Sequence, residues 1–254
     1  MPSPLTVSIV IPAFNEVATA EDLLRRVAAV PIPKEVIVVD DGSSDGTRPL
    51  LEALRDQGLI DVLLFHSENR GKGAALRTGF ACASGDVVVV QDADLEYDPG
   101  TIPRLLDPIA EGSADAVYGS RFMSKTRHAH LAAHALGNRA LTWFSNLLTG
   151  LRLTDMETCQ KMIRRDLLQS LPLSVDRFGI EPEITARLAQ AGARIRELPV
   201  SYDGRSYAEG KKIGWRDGVA AIWFIVRSNL LGPKAPRWSD GGGDSGGGGA
   251  TAGE

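Results

Sequence analysis

The chain has 254 residues, of which 43% are hydrophobic, enough for one sizeable α/β domain or two small ones with a packed core. A formal net charge of -4 and a pI near 5.7 argue against a general nucleic-acid binder, which needs a basic footprint. Cys82 and Cys159 form no CxxC pair, so neither a disulfide framework nor a zinc site is indicated, and both are expected as buried free thiols.

In chain order, MPSPLTVSIVIPAF lacks a basic leader and a cleavage site, and its β-branched run VSIVIPA (7–13) reads as a first strand. Val17, Ala20, Leu23, Leu24, Val27 and Ala28 make a helical stripe after it. Strands are predicted at EVIVVDD (35–41), VLLFHS (62–67), DVVVVQD (86–92) and AVYGSR (116–121), with GAALRTGFACA as a helix before the fourth strand. Runs that are apolar on successive residues belong in a parallel sheet covered on both faces by helices, and VVVV reads as its central strand.

From residue 122 helices dominate, with LGNRALTWFSNLLTGL (136–151) and EPEITARLAQAG (181–192), followed by a strand in IRELPVSYDG. We expect a single catalytic domain over 1–238, made of a nucleotide-binding half (6–121) and an acceptor half (122–231), with a disordered Gly-rich tail at 239–254. In GVAAIWFIVRSNLL the apolar run stops at Arg227, short of the roughly 20 residues a membrane span needs. Val219, Ile222, Trp223, Val226 and Leu230 instead recur at helical spacing, which suits either core packing or contact with a membrane surface.

Sheets of this kind bind ligands in the crevice outside the carboxyl ends of their strands. There PAFNE (12–16), DDGSSDGT (40–47) and QDADLEYD converge. Asp92, Asp94 and Glu96 alternate on what reads as an extended segment, a spacing that lets carboxylates share a hard divalent cation with substrate phosphates. A solvated acidic loop is the plainer alternative. Asp40 and Asp41 are placed to take ribose hydroxyls or a base edge, while Asp45 and Thr47 suit turn and cap chemistry. NRGKGAALRTG (69–79) is neither a dinucleotide fingerprint nor a P-loop, which disfavours a dehydrogenase or a P-loop NTPase. It offers a helix start preceded by Arg70 and Lys72, which either faces nucleotide phosphates or is only a helix start.

With IPAFNE, VVDDGSSDGT, NRGKGAALRTG, QDADLE and YGSR in this order, the chain resembles the family-two glycosyltransferases of the GT-A fold. Within them it is similar to the polyprenyl-phosphate (dolichyl-phosphate) mannose or glucose synthases, over about residues 6 to 231. The resemblance implies a Rossmann-like nucleotide-diphospho-sugar transferase fold, α/β with a mostly parallel central sheet. It implies Pro12, Phe14, Glu16, Val39 and Asp41 around the base and ribose, with Asp92, Ala93 and Asp94 alongside. It implies Asp94 and Glu96 as ligands of Mg²⁺ or Mn²⁺, although many relatives carry Gln at the second position.

Arg121 of GSR matches an arginine that faces the phosphates, and GRSYAEGKKIGWRDG (204–218) suggests Arg205 and Lys212 on donor diphosphate and acceptor phosphate. GNR suggests Arg139 near the acceptor, and LTDMETCQK offers Asp155 as a base or as a helix N-cap. The implied activity is inverting transfer of mannose or glucose from a GDP- or UDP-sugar to a polyprenyl phosphate. The enzyme would sit as a peripheral protein on the cytoplasmic face of the membrane, without the terminal pair of transmembrane helices that some relatives carry. A carbohydrate hydroxyl is the alternative acceptor, and a non-catalytic nucleotide-sugar binder is the third reading.

Overall fold

The structure, a computed structural model, describes residues 4–123, 132–204 and 215–239, apart from the side chains of residues 132–134, 215–217 and 219. Its core is a seven-stranded sheet in the order β3-β2-β1-β4-β6-β5-β7. The strands are β1 (Val7–Ala13), β2 (Lys34–Asp40), β3 (Val62–Phe65), β4 (Val87–Val90), β5 (Ala116–Ser120), β6 (Lys161–Arg164) and β7 (Ile195–Pro199). β6 pairs antiparallel with β4 and with β5, and every other pairing is parallel. β4 is the middle strand, and all four of its valines are buried. Each contributes roughly 1.5–3 kcal/mol relative to exposure, which is why the run is apolar on both faces.

The helices are α1 (Ala20–Ala29), α2 (Thr47–Asp56), α3 (Lys72–Cys82), α4 (Ile102–Ala110), α5 (Ala132–Thr149), α6 (Arg165–Ser170), α7 (Ile180–Ala191) and α8 (Trp215–Val226). α1 buries Ala20, Leu23, Leu24 and Val27, but the stripe expected from the sequence is too long. Val17 is exposed and its amide is taken by the Asp45 carboxylate, so the helix begins only where Ala20 N–H reaches Glu16 O. Cys159 is buried as expected, whereas Cys82, at the last position of α3, is exposed; both are free.

The sequence reading missed β6. KMIR has only four residues, flanked by cations, yet it joins the two halves of the chain into one sheet. Its Lys161 is buried, with Nζ donating to the carbonyls of Met156 and Thr158 and lying 4.7 Å from the Tyr118 ring centroid. Burial pushes this lysine down to about 8. The expected tail lies outside the described residues from 240 on.

α8 differs in its packing. Ile222 and Trp223 are exposed, whereas Ala221 and Ile225 face inward. α8 gives way at Arg227–Leu231 to a π-helical turn that ends with Leu230 and Leu231 exposed. Much of the apolar face expected from the periodicity therefore lies at the surface rather than in the core. No described helix is long and apolar enough to cross a membrane.

Candidate active site

β1, β2, β4 and β5 run in one direction, so Ala13, Asp40, Val90 and Ser120 end at one edge of the sheet. Because β6 runs the other way, the segment before it, residues 153–160, arrives at that same edge. Antiparallel insertion is what brings Asp155 to the ends of the parallel strands.

The acidic motif after β4 is a turn, not the extended segment the spacing suggested. Leu95 sits at φ 64°, and Asp94 Oδ1 accepts the Glu96 amide at 3.1 Å. A left-handed leucine costs of order 1–3 kcal/mol and persists only where its surroundings hold it. Here Leu95 packs on the core, the Asp203 amide donates to Glu96 O at 2.9 Å, and Tyr97 bridges Tyr202. Tyr202 donates its hydroxyl to Glu96 Oε2 at 2.8 Å, and its ring lies 5.1 Å from that of Tyr97.

Two residues before Asp94, Asp92 binds Lys72 Nζ at 2.9 Å, and the same ammonium lies 2.9 Å from Glu181 Oε1. Burial opposes charge on Lys72, but Asp92 and then Glu181 outweigh it, so its pKa stands well above the ordinary lysine range. Ala93 between the two aspartates is buried.

Arg121 follows β5 and forms a bidentate pair with Asp155, Nε to Oδ2 and NH2 to Oδ1, both at 2.7 Å. Its amide adds a third bond to Oδ2 at 2.9 Å. Asp155 is wholly buried, and its own amide donates to Glu197 Oε1 at 3.0 Å. It lies in a loop before β6 and caps no helix, which removes the N-cap alternative. The Arg121 guanidinium also lies 5.2 Å from the Tyr202 centroid. A continuous chain of contacts thus runs Glu96–Tyr202–Arg121–Asp155. Phe122 is flanked by two guanidiniums, Arg121 at 5.8 Å and Arg139 of α5 at 5.1 Å, which places Arg139 near this cluster.

The remaining expected residues lie at the ends of β1 and β2. Pro12 pairs in register with buried Val39, and Phe14 and Glu16 follow in the β1–α1 connection. The Glu16 amide donates to Thr47 Oγ1 at 2.9 Å, and Asp45 Oδ1 accepts the Thr47 amide at 3.0 Å, the turn chemistry expected of Asp45 and Thr47. Asp40 is engaged internally by the Ser43 amide and by Arg48 Nε at 3.0 Å.

Asp41 Oδ1 meets His66 Nδ1 at 2.6 Å and the Arg70 amide at 3.0 Å, and its Oδ2 accepts the Gly71 amide at 2.7 Å. The glycines of NRGKG have a packing reason: Gly71 is at φ 103°, and a Cβ at Gly71 or Gly73 would collide with the backbone of residues 175–177. The Ala74 amide donates to Asp176 O at 3.0 Å, so one amide at the start of α3 is already used within the protein. Arg205 and Lys212 lie outside the described residues.

Sequence reasoning passed over Glu181, His66 and Tyr202, and it set Glu157 aside in favour of Asp155. Glu181 sits in a helix pattern that looked like ordinary core, and only the fold sets it opposite Lys72. Among the described residues, Oε1 of Glu157 and Oε2 of Glu181 are buried without a hydrogen-bond partner. Burial, together with the Glu181 charge, pushes the Glu157 carboxyl up to about 7. Burial likewise holds the Cys159 thiol, beside Asp92, well above its usual range, so it stays a neutral thiol.

Among the described residues no group of three or more His, Cys, Asp or Glu side chains is arranged to hold a metal ion. Asp94 and Glu96 lie on one turn and offer carboxylate oxygens, the donor type that a hard divalent cation takes together with phosphate oxygens.

Residues 8–171 match the family model described as Glycosyl transferase family 2. The chain belongs to this family. Among curated relatives of the family 2 enzyme is an undecaprenyl-phosphate mannosyltransferase of Micrococcus luteus, 28% identical over 246 residues, covering 89% of this chain and 99% of the relative. An undecaprenyl-phosphate 4-deoxy-4-formamido-L-arabinose transferase of Aeromonas hydrophila is 32% identical over 212 residues, covering 81% of this chain but 62% of that relative. The structure superposes on Mycobacterium tuberculosis glucosyl-3-phosphoglycerate synthase in complex with Mn²⁺, UDP and phosphoglyceric acid, with a TM-score of 0.69, 22% identity, and coverage of 90% of this chain and 80% of that one. The same synthase with Mn²⁺, UDP-glucose and phosphoglyceric acid gives a TM-score of 0.64 at 22% identity, over 88% and 79% of the two chains. At that identity the likeness concerns the fold, which is GT-A.

Proposed function

We propose that this family 2 enzyme is an inverting hexosyltransferase that moves mannose or glucose from a GDP- or UDP-sugar to a polyprenyl phosphate. The observation that supports the reading is the contact chain Glu96–Tyr202–Arg121–Asp155, which ties the acidic turn after β4 to the Arg121 guanidinium at the end of β5. The names of the two undecaprenyl-phosphate relatives support the acceptor class.

In this reading the half up to residue 121 holds the donor: Pro12, Phe14, Glu16, Val39 and Asp41 lie around base and ribose, with Asp92, Ala93 and Lys72 alongside. Asp94 and Glu96 would hold Mg²⁺ or Mn²⁺, which when bound neutralises charge on the diphosphate. Arg121 stabilises phosphate oxygens that gain charge as the nucleoside diphosphate departs. The half from 122 to 231 holds the acceptor, with Arg139, Arg205 and Lys212 on its phosphate. A phosphate acceptor is already an anion and attacks without a base. Asp155, occupied by three contacts from Arg121, then serves as the anchor of that arginine.

Membrane contact is assigned to α5 and α8, which pack together. On α5, Leu136, Trp143 and Leu147 form one stripe opposite buried Thr142 and Ser145, and α8 adds Ile222 and Trp223; the two tryptophans are 67% and 55% exposed. Residues 132–152 and 215–239 contain six Arg or Lys and one Asp, leaving 22 basic against 31 acidic residues for the rest of the chain. Charge of that sign beside exposed Trp and Leu suits the anionic cytoplasmic face of a membrane.

The test combines purified protein, Mg²⁺ or Mn²⁺, a panel of nucleotide sugars and polyprenyl phosphate in vesicles. Release of nucleoside diphosphate with formation of a glycolipid is expected, and it should be lost in the Asp94→Asn/Glu96→Gln double variant. No glycolipid with any donor, or full transfer by the double variant, overturns the reading.

A further inference from the structure

The donor end of the cleft contains a histidine that neither the family resemblance nor the proposed chemistry uses. His66 stands one residue beyond β3, 7% exposed, with both ring nitrogens engaged. Nδ1 lies 2.6 Å from Asp41 Oδ1, and Nε2 lies 3.0 Å from Thr78 Oγ1 on α3. The His66 backbone is held as well, since its amide donates to Asp40 O at 2.8 Å and its carbonyl accepts from Arg48 NH2 at 2.9 Å.

Asp41 is therefore gripped from two directions: the imidazole approaches from β3, and the amides of Arg70 and Gly71 approach from the turn that starts α3. A carboxylate offers about four lone-pair positions. Among the described residues three are taken by these groups, two on Oδ1 and one on Oδ2, which leaves one position on Oδ2 for a further donor.

We infer that His66 is a positioning residue for donor binding: with Thr78 it fixes the Asp41 carboxylate and, through the Arg70 and Gly71 amides, the turn that carries Lys72 toward Asp92. One imidazole thereby ties together the two parts of the chain to which the donor is assigned, the end of β2 and the start of α3. Either protonation state keeps the link. A neutral ring with its proton on Nδ1 donates to Asp41 and accepts from the Thr78 hydroxyl, and an imidazolium donates to both oxygens. The inference rests on the donor-site reading of Asp41 and Lys72.

His66→Ala, His66→Asn and Thr78→Val are to be compared with wild type for donor KM, acceptor KM and kcat, alongside their unfolding midpoints. Outer partners that orient metal ligands typically change affinity by about 10–100-fold, and the hydrogen-bonded hold of His66 on Asp41 is of the same kind. His66→Ala is expected to raise the donor KM by about tenfold with kcat and acceptor KM within about twofold, the pattern of lost ground-state binding. An asparagine amide can donate to Asp41 from nearly the position of Nδ1, so His66→Asn is expected to recover part of the loss. In an Asp41→Asn background, His66→Ala is expected to add little, because the histidine acts through that carboxylate.

An unchanged donor KM in a folded His66→Ala variant overturns the inference. So do equal increases in both KM values, or fully additive effects in the Asp41→Asn background. If His66→Ala fails to fold, Thr78→Val and His66→Asn carry the same comparison. Failure of the proposed function would look different: the wild-type protein itself would bind no nucleotide sugar.

Discussion

Replacing Asp155 by Asn separates what this carboxylate does for the fold from what it does for the reaction. Asp155 is fully buried and accepts three bonds from Arg121, whose side chain is 14% exposed. The amide keeps the shape but removes the charge, and its NH2 group faces N–H donors. Leaving a buried guanidinium without its counter-charge costs about 3–5 kcal/mol. Against a total stability of roughly 5–15 kcal/mol the variant still folds over most of that range. With a slope of roughly 2–3 kcal/mol per molar urea, the midpoint should fall by about 1.5 M.

Transfer to polyprenyl phosphate should fall too, although no base is needed there, because Arg121 is no longer aimed. The assay is urea unfolding at pH 7, run beside glycolipid formation by the same preparation. A variant with an unchanged midpoint and undiminished transfer to phosphate would show that the pair anchors nothing, and the chain from Glu96 to Asp155 would lose its meaning.

Glu157→Gln is expected to change the pH dependence of stability. The folded carboxyl holds its proton up to about 7, above its unfolded value, so the stability it contributes is present below about pH 4.5 and is lost as pH rises through about 7. The glutamine variant should therefore match wild type near pH 4 and exceed it at pH 8 in thermal unfolding, and an equal offset at both pH values would contradict the assignment. Gly79→Ala places a methyl group against the Val10 side chain in the core and should cost about 1–3 kcal/mol, read as a lower urea midpoint. Lys72→Met leaves the carboxylates of Asp92 and Glu181 without the cation between them, so it should destabilise the fold. Adding Glu181→Gln should recover part of that loss, and a purely additive double variant would mean that the two residues do not interact.

Much of the framework is written locally in the chain. β1, β2 and β4 are apolar on consecutive residues because helices cover both faces of the sheet, and that requirement is met residue by residue in VSIVIPA, EVIVVD and VVVV. The placement of acids after those strands follows from the polarity of a parallel sheet, so the convergence of Glu16, Asp41 and Asp94 on one edge was legible before any coordinates.

Contacts across the chain were not. β6 is too short and too charged to announce itself, and it becomes a strand only because β4 and β5 leave a place between them. Its reversed direction is what delivers Asp155 to Arg121. The turn at Leu95 depends on Tyr202 and Asp203, more than 100 residues away, so local spacing suggested an extended segment in its place. Asp41 shows the same division: its residue type suggested a group that receives a donor, while the partners that hold it, His66 and the start of α3, meet it only when β3 pairs with β2. Periodicity records which residues must leave water, but hydrogen-bond partners are chosen by where the backbone places distant segments, and that is decided only when the sheet closes.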